Sequence, residues 1–441
     1  MEWDRLLNTT RLRAPDYAEK PGRPMYMQDM DRITFSAPFR RLANKTQVHP
    51  LYDNDHIHHR LIHSIEVASV GRSLGIEVGQ WLVDSGRISE VQRDKIAGIV
   101  QAACLAHDIG NPPFGHSGEA AIGDWFTGRL ASPSGVLKGL EGRYHQAFKA
   151  FEGNAQGFRI VARTEMYVND GGMRLSLGVL GAFTKYPATA NVSLARPEPY
   201  CGLKKYGLFD NDAELFAEVA EALGLPEEKT PMGVWWRRHP LVFLMEAADD
   251  ICYNIMDMED AFVSGDVSFT QAGAALASLF ARRNTAPSAR SQAAEISVLR
   301  AQAISGAISA CVEAFKAHYD ALMDGRFSGS LIEVSDKAEA FAAIRQIARE
   351  RIFNAPRKTE LEIFGRNVIC RVLNGLMPVL DDLESVGWEV GRLSPYHQQL
   401  MRACHLDLAD VQTPYEAVHA LTDFVSGMTD RYAVKVADML G

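Results

Sequence analysis

ACLAHDIGNPPFGHSGE, residues 103–119, is the stretch on which the reading of this chain turns. An apolar run ends in adjacent His107 and Asp108, a Gly-Asn-Pro-Pro break follows, and His116 and Glu119 then stand three residues apart. Proline lacks an N–H and disfavours helix in the residue before it, so Pro112 and Pro113 end the preceding helix and force a turn. A buried helix that closes on an imidazole and a carboxylate delivers polar ligands to its own end. The residues leading into it, KIAGIVQAACLAHD (95–108), are apolar on most faces, which predicts a central helix.

Working outward, LIHSIEVASVGRSLG (61–75) places Val67, Val70 and Leu74 at helical spacing on the face that carries His63. LVFLMEAADDICYNIMDMEDAF (241–262) reads as a long helix with two adjacent acids, Asp249 and Asp250, in an apolar setting. DRITFSAPFRRLANK, from Asp31, is helical in pattern. Residues 1–30 are polar, with Pro15, Pro21 and Pro24, and are expected to form an extended arm. Gly and Pro are frequent over 169–209, which predicts loops with short helices or a hairpin. Alanine-rich segments over 271–320 and amphipathic runs to Leu440 predict a helical C-terminal half. The fold class expected is all-α, with at most a minor β-hairpin. The expected division is an arm (1–30), a core (31–265) with a loop-rich insertion at about 120–240, and a helical region (266–441) packed on that core.

With 441 residues, 47% hydrophobic and 23% charged, the composition is that of an ordinary globular protein. A formal net charge of −9 argues against a general nucleic-acid binder but leaves room for a local basic pocket. The six cysteines form no Cys-x-x-Cys pair, which suits reduced thiols. No uninterrupted apolar run of about 18 residues occurs, and the charged N-terminus has no apolar signal core. The expected location is the cytoplasm.

His63, His107, Asp108 and one of Asp249 or Asp250 make a mixed nitrogen and oxygen donor set. Such a set suits Mn, Mg, Fe, Co, Ni or Zn better than a thiolate-selecting ion. A divalent metal held there acidifies water and polarises a phosphoryl oxygen. His116 with Glu119 forms a second pair suited to proton transfer, the acid orienting the imidazole.

These residues, with FRRLANKTQV (39–48), RLIHSIEVA (60–68), FEGNAQGFRI (151–160), KYP (185–187), KKYG (204–207), EAADDICY (246–253) and MTDRYA (428–433), resemble the dGTPase-type deoxynucleoside triphosphate triphosphohydrolases of the HD superfamily. The blocks follow the family's order and span nearly the whole chain. The resemblance implies an HD-domain helical core elaborated by N- and C-terminal helices. It implies hydrolysis of dGTP or several dNTPs to deoxynucleoside and tripolyphosphate, by water attack on the α-phosphorus. By that likeness His63, His107, Asp108 and Asp249 are metal ligands, and His116 and Glu119 are catalytic. Arg60, Lys185 and Lys204 or Lys205 would meet phosphate; Gln47 and Arg40 would lie near base and sugar; Tyr253 and Asp257 would hold the deoxyribose. A homo-oligomer, a hexamer or smaller, is implied, with Arg431 reaching a neighbouring site and a nucleotide or single-stranded DNA as possible effector. One departure is His58-His59-Arg60, where the family usually has Arg-Thr-Arg. Two other readings remain at this stage: another HD-type nucleotide phosphohydrolase, or a weakly active nucleotide-sensing or single-stranded nucleic-acid-binding module.

Overall fold

The Arg60–Asp84 and Glu90–Ala106 helices form the most extensively packed pair of the fold. Gly71, Gly75 and Gly79 recur every fourth residue and so share one face of the first helix. A Cβ on Gly75 would come within 2.8 Å of the Ala97 Cα, and one on Gly71 within 2.4 Å of the Cys104 Sγ. The glycines therefore let the two helices approach more closely than side chains would permit. Ser89 and Gln92 close a reciprocal capping box at the start of the second helix, satisfying two backbone donors at its N-terminus.

The computed structural model describes residues 1–20, 22–46, 59–166, 171–281, 291–353 and 356–441. The chain is all-α. Among the described residues the one sheet is a two-stranded antiparallel hairpin, Glu227–Thr230 with Gly233–Trp236. It lies beyond the 169–209 stretch, where short helices, Leu177–Phe183 and Ala190–Ala195, take up the glycine-rich sequence instead. The hairpin follows from its own residues: Gly233, at φ 138°, turns the chain into Val234, Trp235 and Trp236, residue types that favour a pleated, half-buried surface. The expected arm is also more structured than its prolines suggested. Trp3, Leu6, Leu7 and Leu12 are buried in the core, and a helix already begins at Met25.

Two hydrophobic clusters organise the interior. The larger joins the glycine-striped pair to the Val242–Ser264 and Gln292–Ala317 helices. The smaller gathers the Gly115–Leu130 helix with Pro356–Ser385, Pro414–Gly427 and Asp430–Leu440. The 103–119 stretch runs from the first cluster into the second. Two helical stretches, Gln292–Ala317 and Thr359–Ser385, are long and apolar enough on average to cross a membrane, but each turns a face into these clusters.

Candidate active site

Three helices bring donors to one point. His63 lies one turn into its helix, His107 stands just past Ala106, and Asp249 occupies the second turn of Val242–Ser264. The His63 Nε2 is 3.2 Å from the Asp249 Oδ1, and the His107 Nε2 is 3.6 Å from the same oxygen. One donor atom from each residue lies within 4.8 Å of the other two. Ligands about 2.1 Å from a common ion stand roughly 3.0–3.4 Å apart in octahedral or tetrahedral geometry, so the first two separations need little adjustment to hold one.

The ring of His107 is set for that role. Its Nδ1 donates to the Cys104 carbonyl at 2.7 Å, which makes Nε2 the nitrogen that would offer a lone pair once the ring is neutral. That Nε2 is buried and has no hydrogen-bond partner, so a cation there would satisfy an otherwise orphaned atom. Burial pulls the His107 pKa down, but the Asp108 and Asp249 carboxylates outweigh it and bring it to about 9. The pocket thus favours positive charge between those acids. Asp249 is held well below the usual carboxylate range, burial being overcome by His107 and His63.

Asp108 is turned differently. Its Oδ2 accepts from the Arg60 guanidinium at 2.6 Å and its Oδ1 from the Asn111 amide. It stands outside the His63, His107 and Asp249 group, with its Oδ1 3.6 Å from the His107 Nε2. Burial raises its pKa, yet Arg60 and the two histidines bring it down to about 2.

Beyond the Pro-Pro turn, Phe114 adopts a left-handed backbone (φ 62°) and Gly115 follows at φ 57°. A Cβ on Gly115 would sit 2.6 Å from the Arg60 guanidinium. The turn therefore rests against Arg60 and launches the Gly115–Leu130 helix. His116 occupies its first turn with an exposed ring, while its Nδ1 bonds the Glu119 Oε2 at 2.6 Å. Glu119 is buried, and its other oxygen accepts the Gly153 N–H at 2.7 Å. The His116–Glu119 hydrogen bond and the Glu119 charge raise the His116 pKa. Both groups face a cavity of about 360 Å³ that is also lined by Arg60, His107, Asp108, Asp249, Lys185 and Lys205.

The HD domain family matches residues 60–151. A deoxyguanosinetriphosphate triphosphohydrolase-like protein of Pseudomonas aeruginosa is 39% identical over 450 residues, covering 99% of this chain and 98% of the relative. One of the same description from Synechocystis is 37% identical, covering 100% and 99%. A deoxyguanosinetriphosphate triphosphohydrolase of Klebsiella pneumoniae is 31% identical, covering 93% and 92%. The chain belongs to the deoxyguanosinetriphosphate triphosphohydrolase-like family. The HD domain match begins at Arg60 and takes in His63, His107, Asp108, His116 and Glu119. It leaves Asp249 to a helix nearly a hundred residues farther on.

The remaining expected site residues of this dGTPase-like chain divide. Lys185, Lys205 and Tyr253 line the cavity. Burial and the neighbouring acids raise the Tyr253 pKa, so the hydroxyl stays protonated. The structure separates the two adjacent lysines. Lys205 lies at the cavity and pairs with Glu152 at 2.9 Å, whereas Lys204 caps the Cys201–Leu203 turn and is exposed. Arg40 is likewise exposed on the short Ala37–Arg41 helix and is not among the lining residues, because that helix buries Pro38 and Phe39 instead. Asp257 is buried one turn beyond Tyr253 and does not line the cavity. Arg431 is exposed on the last helix. Gln47 and His58 lie outside the described residues.

Sequence reasoning missed several residues that hold the site. Asn111 fixes Asp108. Lys45 bonds the carbonyls of Asn111 and Ser426, both at 2.7 Å. Asp430, the acid of MTDRYA, takes the Thr46 hydroxyl at 2.6 Å and the Phe114 N–H at 3.0 Å. The available signal was that Lys45 and Asp430 both fall within the motif blocks; their partners lie too far along the chain to infer.

Proposed function

We propose that this chain hydrolyses deoxynucleoside triphosphates, dGTP or several dNTPs, to deoxynucleoside and tripolyphosphate. The observation that carries the reading is a single cavity holding three kinds of group. It has His107 and Asp249 of the donor set on its helical floor, with the His63 Nε2 3.2 Å from the Asp249 Oδ1, the His116–Glu119 pair on its wall, and Arg60, Lys185 and Lys205 for a polyanion. A triphosphate needs several cationic partners, since charge neutralisation and positioning dominate phosphoryl chemistry.

His63, His107 and Asp249 would hold a divalent metal, Mn, Mg, Fe, Co, Ni or Zn, with Asp108 beside it. When bound, such an ion polarises a phosphoryl oxygen and lowers the pKa of water. The residues of the chain supply the rest. Arg60 is anchored by Asp108, which sets its guanidinium between the floor and the His116 turn. His116, its pKa raised by Glu119, donates a proton to the departing 5′-oxygen as water attacks the α-phosphorus. Tyr253 packs beside the sugar, and Lys185 and Lys205 receive the β- and γ-phosphates.

The test is product analysis with dGTP, dATP, dCTP and dTTP, singly and mixed, with Mn, Mg or Co. Tripolyphosphate together with deoxynucleoside is the expected outcome; orthophosphate or pyrophosphate as the first product would overturn the reading. Replacing His116 with Ala should lower kcat by about 10²-fold or more, the range for a positioned general acid. Because Glu119 raises the His116 pKa, Glu119→Gln should move the alkaline fall of kcat to lower pH. A His116→Ala enzyme of undiminished kcat would remove the histidine from the mechanism.

A further inference from the structure

Lys185 reaches the cavity just beyond the Leu177–Phe183 helix, and two residues behind the cavity wall determine where its ammonium lies. The Glu246 Oε1 stands 3.3 Å from the Lys185 Nζ. The other Glu246 oxygen accepts from Arg238 at 2.9 Å, and the Arg238 Nε donates to the Lys185 carbonyl at 2.7 Å. One arginine therefore holds both the backbone of the lysine and its counter-ion. Arg238 is itself fixed: its backbone N–H bonds the Tyr200 hydroxyl at 3.0 Å, and its guanidinium lies 5.4 Å from the Tyr186 ring centroid and 5.2 Å from that of Phe243. Neither Glu246 nor Arg238 lines the cavity.

We infer that Glu246, braced by Arg238, is a positioning residue that holds the Lys185 ammonium at the polyphosphate end of the cavity. The inference rests on the functional reading above and deepens it. The physical need is clear. A lysine carries its charge on a flexible four-carbon stem rich in rotamers, so a partly buried ammonium needs an anchor to stay in one place. The same helix face also carries Asp249 and Asp250, three and four residues beyond Glu246, and both act electrostatically on Lys185. Glu246 supplies the nearest of the three carboxylates, 3.3 Å from the Lys185 Nζ. Because Arg238 shares the Glu246 carboxylate, Glu246 anchors the Lys185 ammonium without being its exclusive counter-ion.

The experiment is a double-mutant cycle of wild type, Lys185→Gln, Glu246→Gln and the pair. A common pathway predicts that each single change raises the dNTP KM about tenfold, with kcat altered much less, and that the double variant is no worse than Lys185→Gln alone. An unchanged KM in Glu246→Gln, or a double variant showing the product of the two single losses, overturns the inference. Should Glu246→Gln fail to fold with two unpaired buried cations, the double variant, which leaves only Arg238 without its carboxylate partner, carries the test against Lys185→Gln. Equal activity supports the inference, and a further tenfold loss overturns it. If the wild type releases no tripolyphosphate from any dNTP, the functional reading fails by itself. Calorimetric binding of inorganic tripolyphosphate to the same four proteins then reads the positioning role directly, and equal affinity in wild type and Glu246→Gln defeats it.

Discussion

Lys45 is completely buried, and its ammonium donates to the Asn111 carbonyl in the 103–119 stretch and to the Ser426 carbonyl near the C-terminus. Burial lowers its pKa, Arg41 and Arg60 lower it further, and Asp430 and Asp108 only partly compensate, leaving it at about 7. The unfolded chain keeps this proton to the ordinary lysine value near 10.4. Between about pH 7 and 10 the unfolded state therefore binds more protons than the folded one, and stability rises with pH by up to about 1.4 kcal/mol per unit from this group. Below pH 7 both states are protonated and the contribution is flat at its least favourable level. Lys45→Met removes the titration. The difference in unfolding free energy, wild type minus Lys45→Met, should climb across pH 7–10; a flat difference would show that the ammonium is not desolvated as the structure has it.

At the scale of elements, the Asp430–Leu440 helix shows how the C-terminus completes the site wall. Thr429 caps it by accepting the Tyr432 N–H, and Asp430 in its first turn divides its two oxygens between Thr46 and Phe114. An amide has only one acceptor oxygen, so Asp430→Asn must turn an NH₂ toward one of those donors. Leaving a buried N–H unpaired costs about 1–3 kcal/mol. The left-handed Phe114 and the His116 turn behind it would loosen. The expected result is a lower Tm together with a reduced kcat/KM; a Tm shift with unaltered kinetics would separate this contact from the site. The same element explains what could and could not be read from residues alone. The helix that ends in His107, the Pro-Pro turn and the 242–264 helix were legible because each is set by local periodicity and proline stereochemistry. Asp430 with Thr46 was not, because 384 residues separate the partners. Nor was the choice between Lys204 and Lys205, since adjacent residues diverge in direction only once the Cys201–Leu203 turn is in place. The minor hairpin that the sequence allows falls at 227–236 rather than within 169–209, a place not legible because its strands are only four residues long and its charged first strand carries no alternating apolar signal.

Across the whole molecule, the donor set lies where three helices of the larger core meet, and the 103–119 stretch carries the chain from there into the smaller core. A divalent cation would therefore cross-link distant parts of the chain, and its binding free energy would add to the stability of the fold. For a ligand that binds only the folded state, the gain is about 2.7 kcal/mol at a free concentration one hundred times Kd. The metal-free chain should nevertheless remain folded, because Arg60 neutralises Asp108 and the histidines pair with Asp249. Chelation is thus expected to abolish hydrolysis and lower Tm without unfolding the protein at ambient temperature, and added Mn should restore both. In Asp249→Ala the donor set is broken, and Mn should no longer raise Tm even where the variant is well folded. Thermal unfolding with chelator and with graded Mn, on wild type and Asp249→Ala side by side, measures this. An equal Mn-dependent rise in the two proteins would place the cation somewhere other than between His63, His107 and Asp249.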